Sequence, residues 1–417
     1  MARILYLHQH FSTPEGAAGT RSHAFARALA QRGHAVTLAC GQWQGAVTGL
    51  HGPFRRGARQ GRVAGFEVVE FAIPCGNAQG LPARAAAFLR YAARTARLAA
   101  RPGWDLVIAS STPLSVALPA LWARRRQGTP FLFEIRDPWP ELPAAMGLRT
   151  PLLLPAMERL ARAACREASA VIALTPGMGE TALARGTQPA RLHIIGQGCD
   201  LDLFGPQIAP WRPDVAGSQE MLALYAGAHG RANGLELLVE VAAHLQAAGE
   251  RRVRLLLVGE GSEKPGLRRA AEARGLNNLS FLDPLPKREL AWLLAGSQVG
   301  LLCLAPVPQF AEWTAPNKLM DYLAAGRPIL SNVPGEAARL LATGGCGETH
   351  ADPAALAAAL SSLAAEPTRR EAMGEAARRI AERQHDRRLI AARFVAVVES
   401  LLGQFPAPVD HAVALPA

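Results

Sequence analysis

The run TAPNKLMDYLAAGRPIL (314–330) places a proline, an amide, a lysine and, one turn later, a carboxylate at the head of an amphipathic helical pattern. Gly326 and Pro328 stop that pattern before a short apolar strand. A helix start offers unpaired backbone N–H groups and the positive end of its dipole, and both suit phosphate oxygens. Lys318 adds a full charge, and Asp321 can accept hydrogen bonds from ribose hydroxyls. Pro316, Asn317 and Leu319 complete the helix start. The chemistry favoured by these residue types at this spacing is the holding of a nucleoside diphosphate. Asp321 also fits a plain role as an acid stabilising a helix N-terminus, and the two roles are compatible.

Three further stretches carry polar groups at strand ends. FEIRDPWPE (133–141) sets Glu134, Arg136, Asp137 and Glu141 where a strand gives way to a loop, and such ends line the ligand crevice of open α/β sheets. The plainer alternative is an Arg–Asp pair steadying a proline-rich turn. ILYLHQHFSTPEGAAGTR (4–21) is strand, loop and helix; Gly16 and Gly19 leave room for a ligand close to the backbone. A dinucleotide fingerprint, G-x-G-x-x-G directly after the strand, is absent there. It is also absent from LLLVGEGSEK (255–264), where Gly259 and Gly261 lack the third glycine and Glu260 and Glu263 would repel pyrophosphate.

The elements that must position these groups follow from the hydrophobic pattern. Apolar, β-rich runs alternate with helical periods from end to end, the signature of parallel sheets covered by helices. Strands are expected at 4–8, 35–39, 66–72, 105–109, 130–134, 170–174 and 192–195, then at 222–226, 254–258, 279–282, 299–304 and 329–331. FGPQIAPWRPDVAGSQE (204–220), rich in Pro and Gly, reads as a linker. The expectation is two doubly wound Rossmann-like α/β domains, 1–203 and 221–384, facing a cleft. A last helix (385–403) would return to the first domain, and a disordered tail (404–417) would follow. With 417 residues and 49% hydrophobic content, two sizeable cores are within reach.

The TAPNKLMDYLAAGRPIL run resembles the donor-binding loop and helix of family 4 glycosyltransferases, which have the GT-B fold. Its Asn-Lys-Leu-x-(Asp/Glu)-Tyr wording is similar to the branch that builds O-antigen and capsular polysaccharide, which includes N-acetyl-L-fucosamine transferase-like proteins. The resemblance spans residues 4 to about 400. It implies a retaining, metal-independent transfer of a sugar from a nucleoside diphosphate, UDP by preference, to a lipid-linked or saccharide acceptor. It places Gly16 and Gly19 near the transferred sugar and Asp137 beside the reacting hydroxyl. YAGAHGRANG (225–234) resembles the loop that supplies an Arg and a Lys to the donor diphosphate; here Asn233 stands at the Lys position, leaving His229 and Arg231, with Gly230 between them. Lys318 is the natural substitute, and Lys264 is held in reserve. Gly259 belongs to the loop at the rim of the nucleotide pocket. The family's paired glutamates, E-x(7)-E, are reduced to Asp321, because Trp313 occupies the first position and Glu312 lies one residue off. Asp200-Leu201-Asp202 resembles the family's turn at the domain junction, so neither a metal nor a cofactor is expected. Two rivals share the resemblance: a nucleotide-sugar 2-epimerase and a non-catalytic nucleotide-sugar-binding relative.

The net charge of +11 bears on partners. Arg55, Arg56, Arg59 and Arg62 cluster in an expected loop. Arg90, Arg94, Arg97 and Arg101 recur on one helical face opposite Leu81, Phe88, Ala92, Ala96 and Ala99. No nucleic-acid-binding signature accompanies the charge, so an anionic membrane surface or lipid diphosphate is the expected partner rather than nucleic acid. A solvated helix face is the plain alternative. Scattered cysteines without C-x-x-C, the lack of a signal peptide and the lack of a spanning segment give the expectation of a cytoplasmic protein, peripheral on the inner membrane face.

Overall fold

Runs such as LVIAS and FLFEI, buried at every position, can only be central strands covered on both faces. The computed structural model describes residues 1–76, 79–148, 150–217 and 219–403, and the expected tail 404–417 lies outside them. The chain forms two compact units. The first comprises Met1–Thr13, Ala18–Gly196 and Arg388–Ala417, and the second comprises Pro14–Ala17 and Gln197–Arg387.

The first unit holds β1 (Arg3–Leu7), β2 (Ala35–Trp43), β3 (Ala58–Val63), β4 (Phe66–Cys75), β5 (Leu106–Ser110), β6 (Phe131–Ile135), β7 (Ala170–Ala173) and β8 (Leu192–Ile194). They lie in the order β3-β4-β2-β1-β5-β6-β7-β8. All neighbours are parallel except the hairpin β3–β4. The sequence pattern did not suggest β3: its RQGR core is polar because it is an edge strand, half-exposed, and Arg59 there bonds Glu70 on β4 at 2.8 Å. Arg59 and Arg62 therefore belong to a strand, not to the expected loop. The helix Arg387–Leu401 joins the core of this unit, with Phe394 stacked on Phe25 at 4.1 Å between centroids.

The second unit holds β9 (Met221–Ala226), β10 (Val253–Val258), β11 (Leu279–Leu282), β12 (Val299–Leu302), β13 (Ile329–Ser331) and β14 (Gly347–Thr349). They lie in the order β11-β10-β9-β12-β13-β14, all parallel. β14 is another short edge strand absent from the expectation. The expected linker 204–220 has no helix or strand among its described residues. It belongs to the second unit, where Arg212 donates to Gly296 O and Gln298 Oε1. The chain passes between units ahead of it, at Gly196 and Gln197.

All six cysteines are buried and unbridged. No described helix is long and apolar enough to cross a membrane.

Candidate active site

In the second unit the polar groups collect at the C-terminal ends of β9, β10 and β12. The helix Asn317–Ala324 begins at Pro316, whose extended backbone directs the chain into the first turn, and no side chain caps that turn. Leu319, Met320, Tyr322 and Leu323 bury its inner face. Fully buried Tyr322 accepts from Ala226 N at 2.9 Å and donates to Leu301 O, which fixes the helix against the end of β9.

That anchoring determines where Lys318 goes. Its Nζ donates to Tyr225 Oη at 2.8 Å and to Asn233 Oδ1 at 2.9 Å, and it sits 4.2 Å from the Tyr225 ring centroid. No carboxylate pairs with it among the described residues. Burial therefore pulls its pKa down from 10.5 to about 7. Asn233, where the resembled family carries a lysine, is the amide that holds the substitute lysine. A Cβ on Gly227 would meet Lys318 Cε at 3.0 Å, so the loop after β9 approaches the lysine with bare backbone. The site is a cation without a counterion, beside an uncapped helix start. It is built to receive an anion.

Asp321 lies one turn further on and is buried. It pairs with Lys287, from the helix Lys287–Gly296, and burial raises its pKa despite that pairing. Lys287 had no signal in the sequence, because the contact joins residues from separate helices. Arg231 stands exposed on the turn Arg231–Asn233, next to Gly230.

Two expected ligands are placed otherwise. Lys264, the reserve cation, is buried and committed: its Nζ donates to Gly259 O at 2.9 Å, Leu282 O at 3.1 Å and Asp283 Oδ1 at 2.7 Å. It ties the rim loop to β11 and has no bond to spare for a phosphate. His229 is fully buried with neither ring nitrogen bonded, and burial lowers its pKa to about 4. It is a neutral packing group, and its backbone N–H to Glu260 O (2.9 Å) holds two loops together. Gly259, at φ +147°, permits that contact, since a Cβ there would sit 1.8 Å from Gly227 O. Glu312, one residue from the missing glutamate position, is forked to Arg339. Asp200 forms a fork with Arg387.

In the first unit, Asp137 accepts from Thr112 Oγ1 at 2.5 Å. The Arg–Asp pair considered for this turn does not form. Arg136 donates instead to His8 Nε2 at 2.7 Å, which makes that nitrogen the acceptor and leaves Nδ1–H to donate to Ser22 Oγ. Glu134 is fully buried against Arg21, which also donates to Gly196 O and Ile195 O. Asp137 lines a small cavity with Ser111, Phe133, Trp139 and Arg185. Gly16 and Gly19 lie on the irregular loop between β1 and the helix Arg21–Gln31, Gly19 in this unit and Gly16 in the Pro14–Ala17 stretch that belongs to the second. Thr112, His8 and Tyr225 were not singled out from sequence, where nothing marks them as neighbours of charged groups.

Comparison with known proteins follows the same division. Residues 16–198 match the profile of the glycosyl transferase 4-like domain, and residues 220–366 match that of glycosyl transferases group 1. D-inositol 3-phosphate glycosyltransferase of Kribbella flavida is 28% identical over 329 residues, 71% of this chain and 72% of that protein. Among solved structures, sucrose-phosphate synthase of Thermosynechococcus elongatus superposes with TM-score 0.75 at 17% identity, covering 97% of this chain and all of that one. Anabaena HepE in complex with UDP-glucose superposes with TM-score 0.65 at 17% identity, covering 96% and 100%. At such identities these structures establish the fold, which is GT-B. The two matched domains in order on that architecture show that the chain belongs to the glycosyltransferases built from a 4-like domain followed by a group 1 domain.

Proposed function

We propose that the protein is a retaining glycosyltransferase that moves a sugar from a UDP donor to a lipid-linked or saccharide acceptor in surface polysaccharide synthesis, without a metal. The observation that carries the reading is Lys318: a half-buried ammonium with no counter-carboxylate among the described residues, held by Tyr225 and Asn233 at a helix start. A departing diphosphate is the anion such a site suits. Preorganised charge at the leaving group is commonly the largest single contribution to such a transfer. HepE, of like fold, is seen with UDP-glucose, which favours UDP here. Asp321 is the ribose ligand and Arg231 the second cation. Gly227, Gly230 and Gly259 supply bare backbone around the diphosphate. On the acceptor side, Asp137 sits beside the incoming hydroxyl, with Gly16 and Gly19 near the sugar. If leaving group and nucleophile share one face of the sugar, the diphosphate oxygen itself takes the acceptor proton, so no protein nucleophile is needed.

Exposed Leu81 and Leu89 accompany exposed Arg90 and Arg97 on the helix Leu81–Ala99, with exposed Arg101 just beyond its end, which supports a peripheral place on an anionic membrane. Incubation with UDP-sugars and a prenyl diphosphate-linked saccharide tests the function. Transfer with the donor's anomeric configuration kept is expected. Isomerisation of a donor supplied alone would favour the 2-epimerase, and nucleotide binding without turnover would favour the non-catalytic relative.

A further inference from the structure

Besides the buried Arg21–Glu134 pair, the first unit contains a group of arginines that lack counterions among the described residues. Arg136 donates to neutral His8, not to a carboxylate. Neither Arg136 nor Arg84 forms an ion pair among the described residues. Arg84, on the helix Leu81–Ala99, lies with its guanidinium carbon 5.8 Å from the Phe88 ring centroid, and its Nε is buried without a partner. Between the two arginines stands His10, 6.3 Å from both His8 and Phe88 and packed on Trp43 at 3.8 Å. Its Nε2 is buried and unbonded. Gln9, only 1% exposed, has neither its amide nitrogen nor its amide oxygen bonded.

Unbonded buried polar atoms are uncommon, because each costs about 1–3 kcal/mol when left unpaired. Here such atoms come from two neighbouring elements: Gln9 and His10 from the exit of β1 and Arg84 from the helix Leu81–Ala99. Burial, then Arg136, then Arg84 push the His10 pKa down to about 3, and no carboxylate acts in the other direction. The surroundings thus hold net positive charge and surplus donors. Arginine forks match phosphate oxygens in geometry as well as charge.

We propose that Arg84 and Arg136, with Gln9 and His10 between them, form a phosphate subsite that binds a phosphate or diphosphate group carried by the acceptor. The proposal rests on the reading of the first unit as the acceptor side and adds the acceptor's chemical class. Arg84 and Arg136 supply the guanidinium forks, Gln9 the amide N–H, and His10 an imidazole able to donate from whichever nitrogen faces the anion. The indole of Trp43 backs His10 and keeps its ring in place. The phosphate could belong to a free sugar phosphate or to a lipid headgroup, since both present the same oxygens.

Calorimetry with two probes separates these sources: glucose 6-phosphate, with glucose as the uncharged control, and dodecyl phosphate below its micelle concentration. At least one phosphate probe should bind the wild-type chain, with glucose showing no heat. Arg84→Gln and Arg136→Gln should each weaken it by about tenfold or more, the order expected for losing one charge-assisted hydrogen bond. Preference for glucose 6-phosphate would assign a soluble acceptor, and preference for dodecyl phosphate a lipid-linked one. Absence of binding by both probes, or binding in either variant as tight as in the wild type, overturns the subsite. Unchanged circular dichroism and thermal midpoint in the variants show that any loss is not unfolding. UDP titrated separately reports on the donor site: if UDP fails to bind while the arginine-dependent phosphate binding persists, the function proposed above fails and the subsite stands.

Discussion

At the scale of residues, Lys318 has the sharpest consequences. Its pKa of about 7 in the folded chain, against 10.5 for an ordinary lysine, means the unfolded state binds more protons between those values. Stability of the free protein should therefore rise as pH climbs from about 7 towards 10.5. A bound diphosphate favours the charged ammonium, so binding takes up a proton and UDP affinity should fall over the same interval. Thermal midpoints with and without UDP, taken at pH 6.5 and 9, should converge at the higher pH. Parallel shifts would show that Lys318 does not meet the anion. In the proposed function Asp321 has two duties, pairing with Lys287 and holding ribose, and they separate by mutation. Asp321→Ala leaves Lys287 buried and unpaired, which should cost about 3–5 kcal/mol by denaturant titration, and it should also weaken UDP. Adding Lys287→Met should recover most of the stability without recovering UDP affinity. Recovery of both would make Asp321 purely structural. Lys318 and Asp321 were legible in the sequence because a helix start declares itself locally. Tyr225 and Lys287 were not, because their roles depend on which strand end and which helix come to lie beside that start.

At the scale of elements, the rim of the donor pocket depends on glycines that let two loops touch. Gly259→Ala would drive a Cβ to 1.8 Å from Gly227 O. That should displace the loop facing Lys318 and weaken UDP by at least about tenfold, an effect of roughly 1.4 kcal/mol, while the sheet survives. Calorimetry showing wild-type affinity would mean the loops do not shape the site. The helix Leu81–Ala99 illustrates a partial reading. Arg90, Arg94 and Arg97 of the expected arginine stripe lie on it, but Arg101 falls beyond its end, the buried face comprises Ala87, Phe88, Tyr91, Ala92, Thr95, Leu98 and Ala99, and Leu81 is exposed. Arg94 turns towards the loop before β3, donating to Arg56 O. If the remaining Arg90, Arg97 and Arg101 meet an anionic surface, each contributes about 1 kcal/mol. Changing all three to Glu should abolish sedimentation with anionic vesicles at low salt, and neutral vesicles should not bind either form. Equal binding to both vesicle types would leave the stripe a solvated face. The edge strands β3 and β14 escaped notice for the same reason: short, half-exposed strands carry too little hydrophobic alternation to register.

At the scale of the whole molecule, the alternation of apolar runs and helical periods announced parallel sheets, since both faces of each central strand must be covered. What it did not reveal was the passage between units. Gly196 and Gln197 carry no compositional signal, whereas the Pro- and Gly-rich 204–220 does and yet packs on the second unit. If the leaving-group charge is met by Lys318, Arg231 and a helix N-terminus as proposed, transfer should proceed at full rate in excess EDTA. Loss of activity restored by Mn²⁺ or Mg²⁺ would require a metal in the mechanism. The central claim is that the second unit holds a nucleoside diphosphate on Lys318, and UDP calorimetry on the wild type and Lys318→Ala at pH 8, above the lysine's pKa of about 7, tests it most directly. Net proton uptake on UDP binding is read from buffers of different ionisation enthalpy. The wild type should bind UDP with proton uptake, and Lys318→Ala should bind at least about a hundredfold more weakly, roughly 2.7 kcal/mol, without that uptake. Equal affinity in the two proteins, or identical proton uptake, would contradict it.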